Sequence, residues 1–416
     1  MPEIIVQNSG ALSGEVMISG SKNSSLPILA ACILTKGKNT ILNIPELSDI
    51  KIMCSLLESL GARIDKHKNE ITIDCENINS CITPYELVGK MRGSFLLAGP
   101  LLARMGRARI SLPGGCPIGT RPVDLHLKGF SALGAEIERG HGYLDMKADK
   151  LIGAKIYLDF PSVGATENII MAAVLAKGET IIENAAAEPE ITDLAEFLNK
   201  QGARIEGAGS DTIKIIGTDE VTGTKHKVIP DRIEAGTFMT AFAMTRGTGI
   251  IKEVNYEHIK PVAAKLCEMG VEVTDLKNGT IRINAEKELK TADIKTLPFP
   301  GFPTDMQAPF SVLLSTVEGT GLIIETVFEN RFLHIGELNR MGADIRIDGR
   351  TSVIEGARQL SGTSVNAFDL RGGAALVLAG MIAKGDTEIT GVEHIKRGYD
   401  GFVNKLEKIG GRVYRC

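Results

Sequence analysis

The densest cluster of unusual chemistry in this 416-residue chain is Leu112-Pro-Gly-Gly-Cys116-Pro-Ile-Gly-Thr-Arg121-Pro-Val-Asp-Leu-His126. Cys116 has no apolar periodicity around it and stands between Gly115 and Pro117, so a loop must carry and expose it. Arg121 and nearby basic residues can stabilise the thiolate of such a cysteine. The plainer alternative is a glycine-rich surface turn that happens to hold a thiol. Cys32, Cys54 and Cys267 sit instead at apolar helical spacing and read as core.

Two further clusters suit anion and proton chemistry. Ser21-Lys22-Asn23 follows Ile18-Ser-Gly20 and opens an apolar helix. A lysine beside the orphan N–H groups of a helix start suits a phosphate or carboxylate, although ordinary cap residues look the same. The order of a Walker A loop is absent. Arg92, Arg121, Arg331, Arg371 and Arg397 each lie near a glycine or a helix start, where a guanidinium fork can grip an anion. One such arginine is a surface charge; several in equivalent places point to a polyanionic substrate. In Pro298-Phe-Pro-Gly-Phe-Pro303-Thr304-Asp305, three prolines stiffen the approach to an aspartate at a helix start. Asp305 reads either as an N-cap, worth about 1 kcal/mol, or as a general base on a rigid loop. The histidines form no H-x-x-x-H pair, so no metal site is expected.

An internal repeat must position these residues. Helices ending at Gly61, Gly134, Gly202, Gly270, Gly342 and Gly410 each lead into a strand, at spacings of 73, 68, 68, 72 and 68 residues. A second series, an apolar helix followed by Gly37, Gly106, Gly178, Gly247, Gly319 or Gly385, recurs every 66 to 72 residues. Six units therefore account for the chain. In the first, Ile52, Met53, Leu56, Leu57 and Leu60 form one buried helix face, and Gly61 closes the helix. Asn278-Gly279 signals a hairpin. Ile28–Leu34 and Ile169–Ala176 are apolar nearly all round and read as buried helices. The fold class is α/β, built of α+β repeats that close up three at a time, twice. Thr218–Lys227 with Pro230-Asp231 reads as the linker between triplets.

Composition narrows the function classes. Lys+Arg 47 against Asp+Glu 51 gives a net charge of −4, which argues against wholesale nucleic-acid binding. Aromatics at 5% and no Trp disfavour base- or sugar-stacking platforms. Apolar runs such as Leu26–Leu34 and Ala374–Ala383 are far short of the roughly 18 residues of a membrane span. No leader peptide is visible. Seven cysteines without C-x-x-C spacing suit reduced thiols in a cytoplasm.

Ser21–Pro27, the Cys116 loop from Pro113 to His126, Ser162-Val-Gly-Ala-Thr-Glu-Asn168 and Phe302-Pro-Thr-Asp305-Met-Gln closely resemble the UDP-N-acetylglucosamine enolpyruvyl transferases, and the match runs from residue 2 to the C-terminus. The resemblance implies a two-domain inside-out α/β barrel with three repeats per domain, at 22–229 and at 1–21 with 230–416. It also implies transfer of the enolpyruvyl group of phosphoenolpyruvate to the sugar 3-hydroxyl, with release of phosphate, as the first committed step toward peptidoglycan. Asp305 is then the base, and Cys116 the acid that can also bond phosphoenolpyruvate covalently. Lys22, Asn23, Arg121, Arg371 and Arg397 surround the phosphate and carboxylate, with Asp369 flanking them. Arg92, Arg121, Pro122, Val123, Asp124, Leu125, Ser162, Val163, Gly164, Thr304, Asp305, Val327 and Arg331 hold the nucleotide sugar. The small-molecule substrates are the only partners implied, with no cofactor, metal, nucleic acid or membrane. One departure is Asp159-Phe160-Pro161, where some members carry Asp-Lys; Phe160 then either stacks on uracil or packs. The rivals are the sister enzyme acting on shikimate 3-phosphate, which lacks an equivalent cysteine, and a paralogue that senses the nucleotide sugar without turnover.

Overall fold

Residues 3–112 and 123–415 are described by the structure, a computed structural model, and they form two compact units. One comprises residues 20–112 and 123–229; the other joins the N-terminal stretch 3–19 to residues 230–415. Each has its own hydrophobic core.

Within each unit, three helices that are apolar all round lie in the core. In the first they are Lys22–Ala31, Ala98–Met105 and Val163–Ala173; in the second, Arg232–Met244, Gln307–Ser315 and Leu370–Gly380. Ala98–Met105 packs on Val163–Ala173, and Gln307–Ser315 packs on both of its counterparts. A helix without a polar face has nowhere to go but the interior. The sheets lie outside these helices, and their strands alternate buried and more accessible residues, as in Glu179–Glu183 and Thr248–Lys252.

The described residues form six sheets, one per repeat. In five of them a parallel edge strand precedes three antiparallel ones, for example Ile294–Lys295 beside Thr320–Ile324, then Thr351–Glu355 and Asp344–Asp348. In the second repeat the edge strand shrinks to a single bridge, Ile82 to Arg109, and the sheet has three strands. The N-terminus completes two sheets of the second unit. Ser13–Met17 runs parallel to Thr248–Lys252, and Ile4–Gln7 lies between Thr387–Thr390 and Arg412–Arg415.

A second helix in each repeat is amphipathic and ends at the marker glycine. Gly61, Gly134, Gly202, Gly270, Gly342 and Gly410 all have positive φ, between 94° and 107°. Each termination carries the same pair of bonds, such as Gly61 N to Glu58 O and Ala62 N to Leu57 O, repeated at Gly410 N to Glu407 O and Gly411 N to Leu406 O. This is the Schellman arrangement, which satisfies two orphan carbonyls and needs a residue without Cβ strain.

Two sequence expectations are corrected here. Thr218–Lys227 is not a free linker, because Lys225–Lys227 is an edge strand paired with Lys38–Leu42. Its polar flanking residues suggested a loop, but an edge strand needs only one buried position, supplied by His226. Cys267 is exposed on the helix Tyr256–Glu268, not in the core, whereas Cys32 is buried and Cys54 partly so. Burial pushes the Cys54 thiol up to about 11 and Cys75 to about 12. Such thiols stay protonated and unreactive at neutral pH.

Candidate active site

In the second unit the proline-stiffened segment enters a short 3-10 turn, Thr304–Met306, ahead of the helix Gln307–Ser315. Asp305 lies inside that turn and caps no backbone N–H; its carboxylate is held by side chains. Arg331 Nη2 donates to Oδ1 at 2.6 Å, while Arg371 Nε and Nη2 donate to Oδ2 at 3.0 and 2.8 Å. Burial alone would push this carboxyl up. The Arg331 and Arg371 guanidinium groups outweigh it and hold Asp305 well below the usual carboxylate range. The carboxylate is therefore ionised but weakly basic while both forks grip it. Its side chain keeps 23% of its surface exposed, so a ligand can reach it.

The forks are themselves fixed. Arg331 Nη1 donates to Thr304 Oγ1 at 2.8 Å. Arg371 opens the helix Leu370–Gly380, whose N-cap Asp369 accepts from the Arg371 and Gly372 N–H groups at 2.9 Å each. The capping role that sequence offered for Asp305 thus falls to Asp369. Tyr399 lies 5.1 Å from the Arg371 guanidinium, and its hydroxyl meets Thr237 Oγ1 at 2.9 Å. His334 is buried, and that burial lowers it to about 4, so it is neutral behind the cluster. Val327 N–H reaches Glu325 Oε1 at 2.8 Å. Arg397 ends the 3-10 turn Ile395–Arg397.

In the first unit Ser21 caps the helix Lys22–Ala31 by accepting from Ser24 N–H, and Lys22 Nζ lies 3.4 Å from Asp49. Asn23 is the second residue of that helix. Arg92 opens the 3-10 turn Arg92–Leu97. Val123 precedes the helix Asp124–Ala132; Asp124 pairs with the exposed Arg139 and Leu125 packs against the core. Ser162 caps the helix Val163–Ala173 by accepting from Ala165 N–H. Gly164 comes close to His126, whose Cε1 lies 3.2 Å from where a Cβ would stand. His126 Nδ1 accepts from Asn168 Nδ2 at 2.9 Å, and burial lowers this histidine to about 3. Phe160 is 42% exposed and so is not a core residue. Cys116, Arg121 and Pro122 lie outside the described residues.

The structure thus joins Thr304, Asp305, Arg331 and Arg371 in one bonded cluster, with Asp369 one step behind. Sequence reasoning gave no role to Glu325 or His334, and quoted His126 and Asn168 only as the ends of motifs. Repeat register holds a signal for two of them, since His126 and His334 each stand eight residues before a marker glycine.

With this geometry in place, comparison with known proteins is informative. Residues 6–406 match the family profile described as EPSP synthase (3-phosphoshikimate 1-carboxyvinyltransferase). The chain belongs to this family. Among relatives, a protein of Caldanaerobacter subterraneus named UDP-N-acetylglucosamine 1-carboxyvinyltransferase 1 is 55% identical over 415 residues, 99% of each chain. One of Carboxydothermus hydrogenoformans, named UDP-N-acetylglucosamine 1-carboxyvinyltransferase 2, is 55% identical and covers 100% of this chain and 99% of its own. Among solved structures, the enolpyruvyl transferase NikO from Streptomyces tendae superposes with a TM-score of 0.90 at 26% identity, covering 100% of this chain and 98% of its own. An EPSP synthase from Acinetobacter baumannii shares the fold at a TM-score of 0.75 and 18% identity, over the whole of both chains. The fold is that of the enolpyruvyl transferases, a two-domain α/β architecture of six repeats.

Proposed function

We propose that this chain transfers the enolpyruvyl group of phosphoenolpyruvate to the 3-hydroxyl of UDP-N-acetylglucosamine, releasing phosphate, and so supplies peptidoglycan synthesis. The reading rests on 55% identity along the whole chain to relatives carrying that acceptor in their names. The clamped Asp305 supplies its chemistry. No helix among the described residues is long and apolar enough to cross a membrane, and the proposed place of action is the cytoplasm, where both substrates would be soluble anions.

In this mechanism Asp305 takes the proton of the 3-hydroxyl as its oxygen attacks C2 of phosphoenolpyruvate. Cys116 gives a proton to C3, forming a tetrahedral intermediate. Loss of a proton from C3 then expels phosphate and restores the double bond. For Asp305 to act as a base, one guanidinium must loosen, because a carboxylate held by two cations is too weak a base. The acceptor hydroxyl competes with a fork for one carboxylate oxygen, which ties basicity to occupancy. Lys22, Asn23, Arg121, Arg371 and Arg397 are the proposed cradle of phosphoenolpyruvate, with Asp369 orienting Arg371 through its backbone. Arg92, Pro122 to Leu125, Ser162 to Gly164, Thr304, Val327 and Arg331 are the proposed contacts to the nucleotide sugar, and exposed Phe160 is free to stack on the base. The proposal calls for no cofactor, since the cations assigned to the cradle would offset the developing charge.

The family profile carries the name of the shikimate enzyme, which keeps that acceptor as the second reading. The EPSP synthases among solved structures are only 18% to 19% identical, whereas relatives named for the nucleotide sugar reach 49% to 55%. Phosphate release from phosphoenolpyruvate with each acceptor decides between them. Release with UDP-N-acetylglucosamine alone supports the proposal; release with shikimate 3-phosphate alone overturns it. Tight nucleotide-sugar binding with no release would favour a sensing paralogue.

A further inference from the structure

Glu325 is completely buried, yet no arginine or lysine touches it in the bonds around its carboxylate. Oε2 accepts from Thr304 Oγ1 at 2.8 Å. Oε1 accepts from Thr296 Oγ1 at 3.0 Å and from the N–H groups of Val327 and Phe328 at 2.8 and 3.1 Å. The direction of each hydroxyl proton follows from what else it meets. A guanidinium can only donate, so Thr304 Oγ1 accepts from Arg331 Nη1 and must send its own proton to Glu325. Thr296 Oγ1 accepts from Thr326 N–H at 2.9 Å, and of the two acceptors its own proton meets, Glu325 Oε1 at 3.0 Å is nearer than the Ile324 carbonyl at 3.4 Å. Four donors converge, which a carboxylate satisfies and a carboxamide, with one acceptor oxygen, cannot.

We infer that Glu325 is a positioning residue: through Thr304 it aims the Arg331 fork at Asp305, and through the Val327 N–H it fixes the strand end proposed to meet the nucleotide sugar. The donor chain runs Arg331 to Thr304 to Glu325, leaving the other arm of Arg331 on Asp305 Oδ1. One buried carboxylate thereby sets both the electrostatics of the base and the seat of the acceptor. The charged groups facing Asp305 are Arg331, just ahead of the helix Leu333–Arg340, and Arg371, at the start of Leu370–Gly380. His334, Asp369 and Tyr399 stand behind them. None of these replaces the Thr304 link.

This inference rests on the proposed roles of Asp305 and Val327, and a mutant cycle separates the two. Glu325→Gln and Thr304→Val should each lower kcat with UDP-N-acetylglucosamine by about 10- to 100-fold, the scale of a misplacement of about 1 Å. The double variant should be no slower than the slower single one, because both cut the same chain. Thr296→Val removes another donor to the same carboxylate outside the chain to Asp305. It should lower Tm while kcat stays within about threefold of wild type. Multiplying losses in the double variant, or a Glu325→Gln enzyme with wild-type kcat and KM, would overturn the inference. If Glu325→Gln does not fold, Thr304→Val decides through the split between kcat and KM: a loss of tenfold or more in kcat at near-unchanged KM for the nucleotide sugar supports the inference, and unchanged kcat, with or without a raised KM, overturns it. If Asp305→Asn keeps full turnover, the base assignment fails separately. The Val327 arm is still read then as a raised KM for the nucleotide sugar in Glu325→Gln.

Discussion

His126 and His334 occupy the same place in their triplets, eight residues before the marker glycine of the second repeat. Both are buried, both are approached by a glycine 38 residues before the next marker, Gly164 or Gly372, and burial lowers both. Their surroundings differ. His126 faces the amide of Asn168 and the ring of Phe95, 5.0 Å away. His334 has Asp369 and Arg331 nearby, in the neighbourhood of the Asp305 cluster. One duplicated scaffold thus sets a buried histidine beside an amide, a ring and the charge of Arg92 in one unit, and beside Asp369 and the arginine that grips Asp305 in the other. The repeat fixes where a residue can stand; local side chains decide what it does there.

The largest effect that could break this contrast falls on Cys116. Cys116→Ser should lose about two to four decades of turnover, the range of a missing general acid. Cys116→Asp should keep substantial activity, with an optimum shifted to lower pH where its acid form survives, as initial rates across pH would reveal. Equal, low activity of both variants at every pH would mean that the nucleophilicity of sulfur is what turnover needs.

Arg371→Met sharpens the contrast in the second unit. It leaves Asp305 with one guanidinium and should cost about 2 kcal/mol, as for a lost hydrogen bond to a charged group. In wild type the depressed Asp305 carboxyl stabilises the fold above the ordinary carboxylate range, and this is lost as pH falls through its folded value. In Arg371→Met that loss should be smaller and end at higher pH, because the folded value lies closer to the ordinary carboxylate range, as Tm measured from about pH 2 to 7 would show. An acid limb identical to wild type would mean that Arg331 alone sets the carboxyl.

The histidines give a smaller, graded effect. A buried neutral histidine binds fewer protons than the unfolded chain between its lowered value and 6.5, so stability falls as pH drops through that window. His126, lowered to about 3, should contribute more of this slope than His334, lowered to about 4 with Asp369 opposing the shift. His126→Gln should flatten the dependence of Tm on pH more than His334→Gln; the reverse order would contradict this account of the two surroundings.

Much of this was legible in the sequence because it is local. Six helix stops need six glycines, and buried helices need unbroken apolar runs, so the repeats and their spacing stand out in one dimension. The environment of Asp305 was not legible. Its partners Arg331 and Arg371 lie 26 and 66 residues away, and a helix-start aspartate looks the same whether it caps a backbone or holds two guanidinium groups. Glu325 was invisible for the same reason, being one acid in a β-rich stretch whose four donors are assembled only by the fold. Lys225–Lys227 shows the converse, since a strand with one buried residue has no alternation to detect.

The smallest effect concerns the Asp124–Arg139 pair, whose side chains are 67% and 68% exposed. Replacing either by Ala should change stability by less than about 1 kcal/mol. Only Asp124→Ala should raise KM for the nucleotide sugar. A rise in KM of equal size in Arg139→Ala would assign Asp124 a merely structural part.

The most direct test of the account is turnover by Asp305→Asn with UDP-N-acetylglucosamine, followed by phosphate release at a temperature where circular dichroism shows the variant folded. Asparagine keeps the shape and can still accept from one fork, but it cannot take a proton. The account predicts a folded protein, somewhat less stable for the lost charge, with turnover down by at least about two decades. Turnover within a few-fold of wild type would contradict it, leaving Asp305 as nothing more than the anchor of two arginines.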